Sequence, residues 1–448
     1  MGRQVFGVCA IALLLTSGKA AAQEGPAHQD IFGQLQKVGL TADGGWWLAV
    51  AGHARWRAES WTGYNFGAPA TANPNDTYSL GRFFLSVDVH AGTAFRLLVE
   101  GKSSIASDRT LLGGRRTSDV DALDLQQGYA ELTLPPVGGA TTQLRVGRQE
   151  LPLGRERLVS ASDWSNTRRS FEGATGRLLA GPWSVIGMVV APVTVQSYAF
   201  NHRDPHTLLY GAYATDPKAT AHLGLDLYWL GLRRDSVAIN GTSGREDRQT
   251  FGARLWGAER GAGLDYEAEL ASQAGTVGRE RIGAWLAAGQ AGFTFRAALA
   301  PRVYVGADYA SGDAAPGGSV GTFNELFGTA HRYHGYMDVN GGQNLVDWKA
   351  GVSLKWRGVT GVALDWHHFD RASRSDAFYS ATLAVTRSAG SGLARHLGDE
   401  LDVTGRYPMG RHLLVMAGYS HYLPGAFVRQ TGTSRGINYT YFSTQFTL

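Results

Sequence analysis

The stretch Val346 to Trp356, V-D-W-K-A-G-V-S-L-K-W, alternates between apolar residues and small or polar ones along its whole length. A period of two predicts a β-strand whose two faces differ. The apolar row has a tryptophan near each end, and the opposite row carries one aspartate and two lysines. This is typical of a strand that crosses an outer membrane, where aromatic residues lie at both interfaces and the second face lines a wet lumen. A half-buried strand of a soluble sandwich is the alternative that this one stretch leaves open.

The first 22 residues are predicted to be a secretory signal peptide. Arg3 supplies the positive charge, Val5 to Leu15 forms the apolar run, and the alanines Ala20 to Ala22 fit the cleavage site. The run is too short to cross a bilayer as a helix. The only cysteine, Cys9, lies in this segment, so the mature chain is predicted to have no disulfide. A long exported chain without disulfides is most simply a bacterial envelope protein.

Composition excludes two classes of protein. No apolar run of about 18 residues follows the signal segment, which argues against helical membrane spans. The formal net charge is only +4, and no lysine or arginine cluster appears, so a nucleic-acid partner is not expected. The 60 glycines, 12 tryptophans and 18 tyrosines instead suit strands joined by tight turns and bordered by aromatic residues.

The alternating pattern of the first stretch recurs along the chain in about 18 segments. Their connections alternate between short and long, as expected for periplasmic turns and extracellular loops. The predicted long connections are 62–77, 103–121, 151–168, 195–205, 235–244, 312–344, 372–397 and 424–436. The sequence therefore predicts an all-β fold, a transmembrane antiparallel up-and-down β-barrel over residues 46–448, preceded by a periplasmic lead-in at 23–45.

The inward rows of these strands are charged, with most arginines on the early strands and most carboxylates on the later ones. The predicted basic arc comprises Arg55, Arg57, Arg82, Arg96, Arg145 and Arg254, and the acidic arc comprises Asp265, Glu267, Glu269, Asp308, Asp365, Glu400 and Asp402. Facing walls of opposite charge favour dipolar and charged solutes over apolar ones. The alternative is that these groups pair as ordinary salt bridges and only keep the lumen wet. The long loop Ser311 to Asn344, rich in glycine and aromatic residues, is expected to narrow the mouth.

No catalytic, metal or cofactor site is predicted. Ser420 and His421 are neighbours on a strand, so their side chains point to opposite faces and cannot form a nucleophile–base pair. The same holds for His367 and His368 as a metal pair. A histidine in the glycine-rich loop, such as His334, is expected to be solvated or packed within the loop.

Several long motifs resemble the alginate-export family of outer-membrane barrels. They are G-R-Q-E-L at 147–151, D-W at 163–164, N-T-R-R-S-F-E-G at 166–173, F-N-E-L-F at 323–327, G-Y-M-D at 335–338, D-W-H at 365–367, S-D-A-F-Y at 375–379, G-D-E-L-D at 398–402 and G-Y-S-H at 418–421. The resemblance implies a monomeric 18-stranded barrel in the bacterial outer membrane, with lumen arginines that attract a chain of uronic acids. The alginate exporter has a long periplasmic plug before its next-to-last strand, whereas Tyr407 to Arg411 is a short turn here.

Three functions remain open from the sequence. The first is passive transport of an anionic saccharide, an alginate-like polymer or oligosaccharide, through an arginine-lined lumen. The second is a broader porin for uptake of small polar or aromatic solutes, and the third is a surface adhesin. Expected partners are the solute and outer-membrane lipid. The candidate substrate-binding residues are Arg55, Arg57, Arg82, Arg96, Arg145, Arg148, Glu150, Arg254 and Asp365.

Overall fold

The structure, a computed structural model, describes residues 36–258, 262–356 and 359–448; the predicted signal peptide lies outside the described residues. The strands are β1 Gln36–Gly39, β2 Trp46–Thr62, β3 Asp76–Ala91, β4 Phe95–Ala106, β5 Asp121–Thr133, β6 Thr141–Gln149, β7 Phe171–Ala180, β8 Trp183–Thr194, β9 His202–Arg203, β10 Thr207–Thr220, β11 Leu223–Ile239, β12 Thr242–Ala258, β13 Gly263–Val277, β14 Glu280–Thr294, β15 Arg302–Ala310, β16 Leu345–Trp356, β17 Val359–Arg371, β18 Phe378–Tyr379, β19 Val385–Arg387, β20 His396–Met409, β21 Leu413–Pro424 and β22 Ile437–Thr447. Helical turns are Tyr64–Gly67, Ala330–Arg332 and the helix α1, Ala426–Gln430.

One sheet closes on itself. Among the described residues it contains 20 strands, of which β1 and β9 are short additions and the remaining 18 form the barrel. Each barrel strand is antiparallel to its neighbours, and β22 pairs with β2 from His53↔Thr447 to Thr62↔Asn438. The predicted fold class is thereby confirmed. β1 lies in the segment predicted as a lead-in and pairs with the periplasmic half of β2. Within the described part of the chain no helix is long and apolar enough to cross a bilayer.

Strand β16 has the two faces that its alternation predicts. Trp348, Val352, Leu354 and Trp356 are exposed on the outside of the barrel. Asp347 and Lys349 are buried on the inside, although the sequence predicted a row that lines water. The reason for this burial is that loops fill part of the lumen.

The prediction of a long loop at 235–244 is wrong. β11 and β12 instead continue as a paired hairpin to a two-residue turn, Asn240-Gly241. Both turn residues have positive φ, 41° and 86°, which suits Asn-Gly in the mirror-image turn that matches strand twist. The apolar residues Val237 to Ile239 are consecutive, so they lack the alternation that predicts a strand. Ile239 is buried against Val277, Ile282 and Val320, which come from other parts of the chain.

Two extracellular connections turn inward and enter the barrel. We call them the first inner loop, residues 150–170, and the second inner loop, residues 311–344. Their apolar side chains join inward residues of the wall in one core, in which Leu158 and Phe323 are buried against Val190 and Leu286. The lumen is therefore narrowed by these loops from the extracellular side.

At the periplasmic end, the turn predicted at Tyr407–Arg411 is tight, because β20 and β21 pair as far as Met409↔Leu413.

The outward face of β16 can be tested by mutation. Val352 lies midway between Trp348 and Trp356, so Val352→Arg places a charge near the bilayer midplane. We expect it to lower the free energy of unfolding in lipid vesicles by about 2–4 kcal/mol. The neighbouring Ser353→Arg faces the lumen and should have a small effect. Equal losses for the two variants would contradict the inward and outward assignment.

Candidate constriction of the lumen

The two inner loops bind each other through their backbones. The Ser160 amide donates to the Phe327 carbonyl at 3.0 Å, and the Phe327 amide donates to Leu158 at 2.9 Å. The chains approach so closely that a Cβ on Gly328 would lie 2.0 Å from the Arg157 carbonyl oxygen. Glycine is required there because any side chain would separate the loops. The pair therefore acts as one body inside the barrel.

Arg157 fastens this body to the wall. Its guanidinium donates to Glu269 of β13 at 3.0 Å and to Asp308 of β15 at 2.9 Å, and all three side chains are buried. The same guanidinium lies 3.9 Å from the centre of the Tyr333 ring in the second inner loop. One cation thus connects both loops and two strands. Cation–π contacts of this kind are strongest where water is excluded.

The second inner loop has its own attachments. His334 lies between Glu325 at 3.2 Å and Asp347 of β16 at 3.4 Å. The Met337 amide donates at 2.9 Å to Glu400 of β20, which is separated from β16 in the wall only by β17. His334 was expected to be solvated or packed within its loop; it is buried and packs within the loop against Glu325. The additional contact with Asp347 of β16 was not expected, because this residue comes close only in the folded loop.

Three arginines of the predicted basic arc hold the first inner loop. The contacts run from Arg55 to the carbonyls of Asp163, Trp164 and Ser165 at 2.9, 3.1 and 2.9 Å, from Arg57 to Trp164 at 2.7 Å, and from Arg82 to Asp163 and Ser165 at 2.8 and 3.1 Å. Arg82 also donates to the Asp163 carboxylate at 2.9 Å. All three arginines are buried. They supply the donors that a loop taken out of water needs for its backbone.

Arg96 and Arg145 lie nearer the periplasmic end and are partly open. Arg96 binds Asp88 with two nitrogens, at 2.9 and 2.8 Å, and Arg145 binds Glu131 at 2.6 Å. The side chains are 25% and 27% exposed. Each guanidinium is therefore paired with a carboxylate but can still be reached by a solute in the lumen.

The other candidates are dispersed. Arg148 lies on the same face of β6 as the outward-facing Leu144 and Val146, and is covered by the carbonyl of Asn201 at 2.8 Å, so it does not join the lumen group. Glu150 binds Arg168 and Gln126.

On the later strands, Arg254 binds Asp226 at 2.8 Å and Glu267 at 3.0 Å. Asp365 accepts a hydrogen bond from Tyr304 at 2.6 Å and borders a cavity in the lumen.

That cavity has a volume of 270 Å³ and lies between the tips of the inner loops and strands β13 to β17. Its cations are Arg155, Arg157, Arg332 and Lys349, and its carboxylates are Glu267, Asp308 and Asp365. Arg155 and Arg332 are the exposed cations among them. They were missed by the sequence analysis because they lie in connections, whereas only strand rows were searched. For Arg332, its position in the loop Ser311 to Asn344, which was expected to narrow the mouth, was the available signal.

Aromatic rings border the cavity on its loop side. Trp164 of the first inner loop stacks on His331 of the second, with ring centres 4.1 Å apart and planes 10° from parallel. Arg57 lies 4.2 Å above the same indole. Tyr336 meets His331 edge-on at 4.5 Å. His331 and Tyr336 both line the cavity, so a ligand there meets ring faces as well as charges.

The adjacent pairs point to opposite faces as predicted. Ser420 is buried inside the barrel, whereas His421 contacts Asn438 on the outer side at 2.7 Å. His367 binds Asp347 inside at 3.0 Å, and His368 binds a carboxylate on the outer wall.

Comparison with known proteins gives a consistent result. A family model described as alginate export matches residues 46–442. No curated protein sequence matches the chain. The fold is similar to solved structures from Pseudomonas aeruginosa. The outer membrane protein OpdK has 13% identity and a TM-score of 0.62, with 89% of this chain and 98% of that chain covered. OccK11 (OpdR) has 15% identity and a TM-score of 0.55, with 90% and 96% covered. OccK2 (OpdF), in complex with glucuronate, has 13% identity and a TM-score of 0.57, with 95% and 99% covered.

The attachment by Arg157 can be tested by Arg157→Gln. The substitution removes the cation from buried Glu269 and Asp308, a change that costs about 3–5 kcal/mol when one partner of a buried pair is lost. We expect the inner loops to loosen and the single-channel conductance to rise and fluctuate. Arg233→Gln, which removes an exposed arginine paired with Asp247, is the control. Unchanged conductance in Arg157→Gln would show that the loops do not depend on this residue.

His334 gives the second inner loop a dependence on pH. Burial disfavours the charged imidazole, but hydrogen bonds to Asp347 and Glu325 outweigh it and raise its pKa from 6.5 to about 9. A raised pKa means that the charged form stabilises the loop fully below pH 6.5, and this contribution is lost as the pH rises through about 9. Hydrogen exchange of residues 320–343 should therefore accelerate across that range. The step should be absent in His334→Asn; a step of equal size there would assign it to another group.

Proposed function

Because this chain belongs to the alginate-export family of outer-membrane β-barrels, we propose that it is a passive channel for small anionic saccharides of the uronate class. The proposed path runs beside the inner loops, through the cavity bordered by Arg155 and Arg332. The single observation that carries the proposal is this cavity, in which exposed guanidinium groups and aromatic rings face the same space.

The size of the cavity favours single sugars or short fragments over a polymer. Small-molecule sites occupy about 300–1,000 Å³, and 270 Å³ lies just below that range. This volume suits a ligand of about one sugar ring. An extended polymer would need the inner loops to withdraw, although Arg157 and His334 hold them in place. We therefore favour passage of oligosaccharide fragments or monomers over export of an intact chain.

The charges suit a carboxylate that binds weakly and moves on. A guanidinium can bind a carboxylate with two parallel hydrogen bonds and stays charged at any working pH. Arg155 is 54% exposed and its nearest carboxylate, Glu267, is 3.4 Å away, so this ion pair is loose. An incoming uronate can take the place of Glu267 without leaving a buried charge unpaired. Conduction requires this kind of shared, moderate binding.

Further arginines continue the path toward the periplasm. Arg406 of β20 is exposed and shares its inward face with Asp402 and Thr404. Arg96 and Arg145 lie on the early strands with partly open guanidinium groups. These groups would offer successive contacts below the cavity. Arg55, Arg57 and Arg82 hold the first inner loop and are therefore not assigned to the solute. The contacts with the solute are instead assigned to the open residues named above.

Two of the comparisons support the uronate class. OccK2 (OpdF) was solved with glucuronate, a single uronic acid, and has the same fold as this chain. The family is described as alginate export, and alginate is a polymer of uronic acids. Both observations concern acidic sugars, and the cavity adds the preference for a small one.

A broader porin for small polar solutes is the second candidate. The observation that favours it is the mixed charge of the cavity, where Glu267, Asp308 and Asp365 lie beside the cations. Carboxylates repel a uronate and attract cationic solutes. The two proposals differ in whether neutral and basic solutes pass as readily as acidic ones.

The proposal predicts a loss of anion preference in Arg155→Gln/Arg332→Gln. A hydrogen bond to a charged group contributes about 1.5–3 kcal/mol, so block of single-channel current by glucuronate should weaken about tenfold or more. The reversal potential in a salt gradient should also shift toward cations. The outer-wall variant Arg233→Gln should leave both quantities unchanged. If the double variant keeps wild-type block and selectivity, and liposome swelling is equal with glucuronate and neutral sugars, the broader porin is the better description.

A further inference from the structure

We propose that the outer wall of the barrel carries a site for a divalent transition-metal ion of the Zn²⁺ class, with His368, His396 and Asp399 as its ligands. These residues lie on the outward rows of β17 and β20, on the far side of the wall from the lumen. The site is therefore separate from the proposed solute path.

The three side chains converge across the strand pair. His368 is directly opposite Asp399 in the ladder, and His396 is opposite Asp370, two residues nearer the extracellular end of β17. His368 Nδ1 lies 2.7 Å from one carboxylate oxygen of Asp399, and His396 Nε2 lies 3.1 Å from the other. The three candidate ligand atoms all lie within 4.8 Å of one another. Zinc bound at about 2.0–2.2 Å by each ligand needs only small side-chain rotations here.

The neighbours of the cluster prepare it for a metal. A histidine that binds a metal usually donates its other ring N–H to a carboxylate, which fixes its tautomer and orientation. His368 Nε2 faces Asp370 at 3.6 Å, and so Asp370 is placed to accept that hydrogen. The imidazoles of His368 and His396 are stacked with centres 4.5 Å apart. Stacking restricts both rings and keeps one nitrogen of each ring directed toward Asp399.

A second cluster in the protein lacks these properties. Asp308, His334 and Asp347 also bring three ligand atoms together. Lys349 lies 2.7 Å from Asp308, however, and Arg157 lies 2.9 Å from it. Cations of the protein already neutralise that buried cluster, and a metal ion would have to displace them. No lysine or arginine among the described residues forms an ion pair with Asp399 or Asp370.

The site lies where an ion can reach it. His368, His396 and Asp399 have side chains that are 32%, 32% and 28% exposed. They lie at the extracellular ends of their strands, and the exposed Trp348 and Leu423 are the cross-strand neighbours of His368 and Asp399. Exposed aromatic residues mark the membrane interface. The remaining coordination positions of the metal would thus face the wet headgroup layer and be filled by water or by an oxygen from that layer.

The ligand set selects the class of metal. Two imidazole nitrogens and one carboxylate suit Zn²⁺ and related ions, whereas Ca²⁺ and Mg²⁺ prefer sites made only of oxygen ligands. A sequence search for metal motifs cannot find such a site, since His367 and His368 point to opposite faces and the second histidine comes from another strand.

The test is calorimetric titration of ZnCl₂ into tag-free, EDTA-treated barrel in detergent. We expect one Zn²⁺ per barrel, and no comparable heat from CaCl₂. His368→Ala/His396→Ala should abolish this site, and Asp370→Asn should weaken it by roughly 10- to 100-fold through loss of the supporting carboxylate. His206→Ala is the control, because His206 is an exposed histidine that pairs with a single carboxylate, Asp235.

Folding of each variant is checked by heat-modifiable mobility on gels, and Asp370→Asn keeps the test valid if the double variant does not fold. Visible absorption of bound Co²⁺ reports whether the ion has nitrogen ligands in a four-coordinate site. Absence of a stoichiometric site in the wild-type protein would overturn the proposal, and so would equal Zn²⁺ affinity in wild type and Asp370→Asn. Single-channel block by glucuronate should be the same with and without Zn²⁺, which separates this test from that of the transport function.

Discussion

Lipid offers no hydrogen-bond partner to a peptide group, and this constraint governs the whole molecule. The wall satisfies it by closing β22 onto β2, so that each of the 18 barrel strands among the described residues is paired on both sides. The same requirement then applies inside. Two loops leave the extracellular water, and their backbones need donors and acceptors within the barrel. Arg55, Arg57 and Arg82 meet that need for the first inner loop, with Asp163 to Ser165 as acceptors. The buried arginines of this lumen therefore serve the buried loop backbone first, and their effect on solute selectivity is secondary.

The fold could be predicted because strands that cross a membrane alternate apolar and polar residues with a period of two. The outward row of β16 is apolar at alternate positions whatever the rest of the chain does, and closure follows from the lack of edges in lipid. The hairpin at Asn240 could not be predicted in the same way. Its apolar residues Val237 to Ile239 are consecutive and form no alternating row, and Ile239 is buried only by contacts with distant residues such as Val320. Only the Asn-Gly turn indicates the hairpin in the sequence.

The site was less predictable, because its contacts join distant parts of the chain. Arg55 and Arg82 point into the barrel, as their strand rows predict. Their acceptors, however, lie 108 and 81 residues away, in a loop whose inward course no local sequence pattern encodes. Arg155 and Arg332 border the cavity from loops, so a search of strand rows passes over them. Arg148 shows a related difficulty: a motif can resemble a family's while the side chain points to the outer face.

Closure by the first and last strands of the barrel also orders its assembly in time. Neighbouring hairpins can pair as soon as they leave the export machinery, but β2 must wait for β22, which is the final strand to arrive. Until then two unpaired edges stay open, and these are the surfaces through which unfinished barrels aggregate. The cost of loop closure falls on that last pairing. The edge of the first barrel strand, β2, is thus the one that must stay unpaired for longest before the wall can close.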